Sequence, residues 1–132
     1  MTTDSLNYTL FIKSSPFNDE SNQTAAAFAA AVLNCGHKID RVFFYQDSVF
    51  TANASLTPPQ GQTPHHQLWT ELKAKYDFPL QVCIANALRR GILDETEADR
   101  YDKQATIHPD FELCGLGEMA EAMHSSDRII TF

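Results

Sequence analysis

The sequence predicts a single α/β domain over residues 1–132, built on a central, mainly parallel sheet of about five strands. Two observations carry this. Strand-like and helix-like segments alternate along the chain, and the strongest strand, Ile39-Asp40-Arg41-Val42-Phe43-Phe44-Tyr45, contains an unbroken apolar stretch. A sheet with one wet face would alternate apolar and polar residues. A continuous run belongs to a strand covered on both sides, as when helices cross over a parallel sheet.

Taken in order, Tyr8-Thr9-Leu10-Phe11-Ile12-Lys13 has the β-branched and aromatic character of a first strand. Residues 14–21 are polar, carry Pro16 and predict a loop. Asn22-Gln23-Thr24 leads into an alanine-rich helix over residues 25–33, with Phe28, Val32 and Leu33 as its buried stripe and Gly36 as its stop. After the second strand, residues 47–53 predict a loop, and residues 57–64 are rich in turn formers. A helix resumes over residues 65–76, with Leu68, Trp69 and Leu72 near one face. Residues 80–83 predict the third strand, and 84–91 a short helix stopped by Gly91. Residues 96–100 predict a short polar helix, and Phe111-Glu112-Leu113-Cys114 a fourth strand. A turn at Gly115-Leu116-Gly117 precedes a helix over 118–124, and Arg128-Ile129-Ile130-Thr131-Phe132 closes as a strand.

Composition narrows the function. Of the residues, 43% are hydrophobic and 20% charged, a globular balance. The net charge of -7 argues against nonspecific nucleic-acid binding, since a polyanion is held by clustered Lys and Arg. No apolar segment approaches the roughly 20 residues that span a bilayer. Met1-Thr2-Thr3-Asp4-Ser5 lacks the basic and apolar regions of a secretory signal. Three cysteines, Cys35, Cys83 and Cys114, form no CxxC pair and no disulfide framework. The expectation is a cytoplasmic protein.

The candidate sites each have a plainer reading. Cys83 ends an apolar strand and opens a helix. A bare cysteine there is more often packing than chemistry, but open α/β sheets build ligand sites beyond the carboxyl ends of their strands. Unpaired helix N–H groups near such a thiol would favour the thiolate needed for sulfur transfer. Arg89 and Arg90 lie about 9–10 Å further along that helix, so they suit its C-terminus or a docking contact better than thiol activation. Cys114 also precedes a strand-to-helix turn. It could face the same edge as Cys83, as an auxiliary thiol or as an unpaired one. Cys35 is read as a spectator at a helix end. His65-His66 lack metal-ligand spacing, so neither metal nor cofactor is expected. Asp94-Glu95 with Glu97 reads as a solvated helix start. Tyr45, Phe50 and Asn53 could line an entrance above the sheet or serve the core equally well.

Combined, these segments resemble a known family. Val42-Phe43-Phe44-Tyr45, with Val49 and Ala52-Asn53, is similar to the second-strand and loop motif of the DsrE/TusD family. Cys83-Ile84-Ala85-Asn86-Ala87-Leu88-Arg89-Arg90-Gly91, continued by Asp94-Glu95-Thr96-Glu97-Ala98, resembles its active-cysteine segment. Leu113-Cys114-Gly115-Leu116-Gly117-Glu118-Met119-Ala120-Glu121-Ala122 and Asp127-Arg128 extend the resemblance, which runs from Tyr8 to Phe132. It implies a three-layer DsrE-like domain and a sulfur-relay subunit carrying persulfide on Cys83 alone. It further implies TusB-like and TusC-like subunits in a dimer of heterotrimers, a TusA-like donor, a TusE-like acceptor, and 2-thiolation of the tRNA wobble uridine without direct tRNA binding. Related DsrE proteins serve sulfur oxidation, and a noncatalytic assembly subunit is the remaining alternative. Asn86 and Cys114 stand where the family pattern has alanine and serine, and residues 17–20 make the first loop distinctive.

Overall fold

The computed structural model describes residues 4–18 and 20–132; the expectations for Met1-Thr2-Thr3 and for Asp19 in the first loop lie outside the described residues. Its elements are β1 (Asn7–Ile12), α1 (Ser21–Asn34), β2 (Lys38–Phe44), a 3₁₀ helix (Gln46–Ala52), α2 (His65–Tyr76) and β3 (Leu80–Cys83). They continue through α3 (Ile84–Arg89), α4 (Glu95–Arg100), β4 (Phe111–Cys114), α5 (Leu116–Ser125) and β5 (Arg128–Thr131).

The five strands form one sheet in the order β4-β3-β2-β1-β5, and every neighbouring pair is parallel. The chain steps outward from β1 to β4 in one direction. It then returns through α5 across the whole sheet to β5, beside β1. Right-handed crossovers put helices on one face while the chain steps outward and on the opposite face when it steps back. The two buried clusters follow that rule. Leu10, Ile12, Val42, Phe44, Leu80 and Val82 pack with Ala25, Ala29 and Trp69 of α1 and α2. Phe43 and Cys83 pack on the other side with Met119 and Ala122 of α5.

Small residues set how closely α1 approaches the sheet. Ala25, Ala26 and Ala29 are buried with Val32 and Leu33, whereas Phe28 sits at the rim. Its ring lies 5.8 Å from that of Tyr8 and 5.7 Å from that of Phe132. The expectation that Phe28 belongs to the buried stripe is thus corrected: alanine methyls occupy the space a phenyl ring would need. Trp69 carries the centre of α2. It is fully buried, edge-on to Phe44 at 5.5 Å. Its indole N–H donates to Asn22 Oδ1 at 3.0 Å, and Asn22 Nδ2 donates to Thr51 Oγ1 at 2.7 Å. This chain ties α2, α1 and the 3₁₀ helix together and satisfies polar groups that would be costly if left unpaired.

A bulge shapes β2. Tyr8 pairs with Ile39 but Thr9 pairs with Arg41, leaving Asp40 as the extra residue. Both Asp40 and Arg41 then serve the α5 side. Arg41 Nε lies 3.0 Å from Asp40 Oδ2, and its Nη1 donates to the Glu118 carbonyl at 2.7 Å and to Glu118 Oε2 at 3.1 Å. Asp40 Oδ2 also accepts from Ser125 Oγ at 2.9 Å. Two adjacent residues of one strand therefore fasten both ends of α5.

Candidate functional site: a thiol pair at the carboxyl end of the sheet

The carboxyl ends of the strands are held by short polar contacts. Ser48 is fully buried, and its hydroxyl donates to the Ile12 carbonyl at 2.6 Å while accepting from the Tyr45 N–H at 2.8 Å. The segment expected as a loop over residues 47–53 is this ordered 3₁₀ helix. Gln46 enters it with φ of 54°, a conformation that costs a non-glycine residue on the order of 1 kcal/mol. Asn86 offsets the cost: its Oδ1 accepts the Gln46 N–H at 2.7 Å. Asn86 thus links the segment after β2 to α3.

Cys83 is the last residue of β3 and the residue from which α3 starts. It is only 2% exposed and lies among Phe43, Met119 and Ala122, with Phe11, Tyr45, Ile129 and Cys114 at the margins. The sequence suggested a thiol facing unpaired helix N–H groups. The side chain makes no capping hydrogen bond; it turns instead to the sheet face beneath α5. A strand residue must follow the pleat, and the pleat sends Cys83 to the side of Phe43 and Phe11.

The structure brings Cys114 to Cys83. The two are registered partners on adjacent strands, and both belong to the α5-side cluster. All three cysteines are free thiols, with Cys83 buried, Cys114 half-buried and Cys35 exposed. Cys35 caps the end of α1, which runs back from the carboxyl to the amino end of the sheet, so it lies away from the pair. Around the pair the charge is negative. Burial pushes the Cys114 thiol up to about 12, with Glu118, Glu112 and Cys83 adding to the effect and a backbone hydrogen bond at Val82 opposing it. Glu112 is held by Gln81 Nε2 at 3.1 Å and Glu118 by Arg41 at 3.1 Å. Gln81 is buried, and its Oε1 has no hydrogen-bond partner among the described residues.

Other candidates fall elsewhere. Arg90 is engaged within the chain: Nε lies 2.8 Å from Asp47 Oδ1, and Nη1 donates to the Asn86 carbonyl at 3.1 Å. Arg89 is exposed at the last residue of α3. Of the three residues considered for an entrance, only Tyr45 borders Cys83. Phe50 stacks near Phe17 at 5.8 Å, and Asn53 bridges to Ile107 on the far side. Asp94 caps α4 through the Glu97 N–H at 2.8 Å, but Glu97 itself is buried rather than solvated. His65 and His66 begin α2, half-buried, and the His66 ring lies 5.0 Å from that of His108. Burial lowers the pKa of both, and the charges of His108 and His65 lower that of His66 further. Among the described residues no three His, Cys, Asp or Glu side chains converge on a metal position.

Sequence reasoning missed Asp40, Arg41, Gln81, Glu112 and Glu118 as the polar frame of the site. The one signal available was charge inside an otherwise apolar strand at Asp40-Arg41.

Fold and site together define a small, all-parallel α/β domain that carries a registered pair of thiols at the carboxyl end of its sheet. The chain belongs to the DsrE/DsrF-like family, whose model matches residues 7–132. It is 42% identical over 128 residues to DsrE of Allochromatium vinosum, covering 96% of this chain and 98% of that protein. It is 37% identical over 128 residues to sulfurtransferase TusD of Salmonella typhi, covering 96% of this chain and 100% of that one. The solved ychN protein from E. coli shares the fold with a TM-score of 0.76 at 22% identity, over 96% of this chain and 99% of that one. Sulfur transfer is therefore the activity named among the relatives. No helix among the described residues is long and apolar enough to cross a membrane.

Proposed function

We propose that this chain is a sulfur-relay subunit that carries sulfur as a persulfide on Cys83 and passes it to an acceptor protein thiol. The observation that carries the reading is the position of Cys83, at the carboxyl end of a central strand beneath a single crossing helix, in a chain related throughout to named sulfurtransferases. The Cys83 thiolate attacks the outer sulfur of a donor persulfide, and the donor thiolate leaves. A thiol only 2% exposed keeps the acquired sulfur from water and stray thiols until the cover of Met119 and Tyr45 shifts. That favours loading within a complex. The partners in this reading are TusB-like and TusC-like subunits in a dimer of heterotrimers, a TusA-like donor and a TusE-like acceptor. The end product is 2-thiouridine at the tRNA wobble position, and the setting is the cytoplasm, which suits three free thiols.

A second pathway has a specific observation behind it: identity is higher to DsrE, at 42%, than to TusD, at 37%. A sulfur-oxidation relay would use the same Cys83 chemistry with different donors and acceptors. Incubation with a persulfidated donor protein, followed by intact-mass and peptide analysis, tests the shared step. A labile 32 Da adduct (roughly one sulfur atom) on Cys83 is expected, absent from Cys83→Ser. Loading undiminished in that variant would reject the assignment. Wobble-uridine thiolation after deletion of the gene then separates the pathways, and complex assembly without any loading would mark a noncatalytic subunit.

A further inference from the structure

Cys83 has a neighbour that a simple carrier does not need. We propose that Cys114 is the resolving thiol of this site: its thiolate attacks Sγ of a persulfidated Cys83, the bond to the outer sulfur breaks, and hydrosulfide leaves as a Cys83–Cys114 disulfide joins β3 to β4. The inference rests on the persulfide reading of Cys83 and extends it. Atoms and electrons balance without an outside oxidant. The outer sulfur takes the two electrons and departs as hydrosulfide, the Cys114 thiolate supplies them, and a dithiol reductant restores both thiols.

The geometry is that of a closable pair. Cys83 and Cys114 are registered partners, so their Cα atoms are one strand spacing apart, about 4.8 Å, within the span a disulfide bridges. Both side chains lie on the same face and share one cluster with Phe43, Tyr45 and Met119. Cys114 is on the edge strand and half-buried, so it moves more freely than its partner.

The surroundings decide when the reaction runs. The charged and titratable groups around Cys114 are Glu112 on its own strand, Glu118 on α5, Cys83 on β3, Tyr45 beyond β2, and Arg41, which is bound to Glu118. Glu112 and Glu118 oppose a second negative charge, and Arg41 neutralises only one of them. Cys114 therefore stays a protonated thiol at neutral pH, and a protonated thiol does not attack. The persulfide is spared under these conditions and discharged when Cys114 is deprotonated. Below the pKa of Cys114, each unit of pH raises its thiolate about tenfold, and discharge speeds up with it while the outer sulfur keeps the proton with which it leaves as hydrosulfide.

The test follows sulfide release and intact mass after persulfide loading of the full chain, from neutral to alkaline pH. Stoichiometric sulfide and a Cys83–Cys114 linked peptide are expected, both formed faster above neutral pH than at neutral pH. Cys114→Ser should retain its persulfide, and Glu112→Gln should move the profile to lower pH. A persulfide on Cys83 that survives alkaline pH with no linked peptide would overturn the proposal. A second arm treats a Cys35→Ser chain, free of the exposed thiol, with one equivalent of 2,2′-dithiodipyridine, where attack of Cys114 on a Cys83 mixed disulfide releases a second thiopyridone per reagent molecule and leaves the linked peptide. Linkage in this arm without persulfide loading would count against the carrier reading while upholding the resolving thiol. Failure of both reagents at Cys83, in the isolated chain and in the complex with its co-expressed partner subunits, would overturn both.

Discussion

The two faces of the sheet are built to different standards. On the α1–α2 side, Leu10, Ile12, Phe44, Leu80, Val82 and Trp69 are all fully buried, and even the polar Asn22 and Thr51 satisfy one another there. On the α5 side one ten-residue helix does the covering. Such a helix is about 15 Å long and about 10 Å wide. A five-stranded sheet is about 19 Å across, so one helix cannot cover it. Phe11, Tyr45 and Ile129 are accordingly only half-buried. The buried residues on that side include Arg41 and Gln81, and both thiols of the pair lie there. Stability sits on the thick side, and the proposed chemistry on the thinly covered one.

The sharpest way to break this contrast is a large truncation on each face. Trp69→Ala removes the indole packed on Phe44 and leaves Asn22 Oδ1 without its donor. A loss of about 4 kcal/mol is expected in urea unfolding. Met119→Ala on the α5 side should cost about 2 kcal/mol, the low end for methionine, because a cavity beneath one helix can collapse or fill with water. Equal losses would mean the faces are energetically alike.

Next in size is the fastening of α5. Burial alone would raise the Asp40 carboxyl, but hydrogen bonds from Ser125 and Arg41, the Arg41 charge and a hydrogen bond from Asn7 outweigh it and lower its pKa below 3.8. The native state then binds fewer protons than the unfolded chain in the acid range. This contribution is fully present above pH 3.8 and disappears as pH falls through the lowered native value. Asp40→Asn should flatten that acid limb and cost about 1–2 kcal/mol at neutral pH. Hydrogen exchange in α5 should accelerate before exchange in α1, and a uniform acceleration would contradict a separately fastened cover.

What the sequence disclosed follows the same division. The bounds of α2, β3 and β4 were legible because apolar runs and their flanking turns are local properties. The helix after β4 begins at Leu116 rather than two residues later: Gly115 is its extended cap, and Gly117 is accepted within the first turn. The register that sets Cys114 beside Cys83 was not legible, because strand order is a property of the assembled sheet. The bulge at Asp40 and the bonds from Trp69 to Asn22 and from Gln46 to Asn86 also depend on pairings between distant segments. The place of Cys83 between strand and helix was legible, while the carboxylates around its neighbour come from two separate elements.

The smallest expected effect separates two residues that look equivalent in sequence. Arg90 spends its guanidinium on Asp47 and the Asn86 carbonyl, fixing the end of α3 to the 3₁₀ helix. Asp47 is 54% exposed in its side chain, which keeps the pair in screened solvent. Arg90→Ala should therefore cost roughly 0.5 kcal/mol in thermal unfolding, more at low salt than at high. Arg89→Ala should leave the isolated chain unchanged within about 0.5 kcal/mol, since the side chain is exposed. In the proposed complex the order reverses: the arginine not spent on the chain's own carboxylates can meet a partner's. Light scattering and affinity measurements on co-expressed subunits should find assembly weakened more by Arg89→Ala than by Arg90→Ala. The opposite order would place the docking surface on the 3₁₀ helix side of α3.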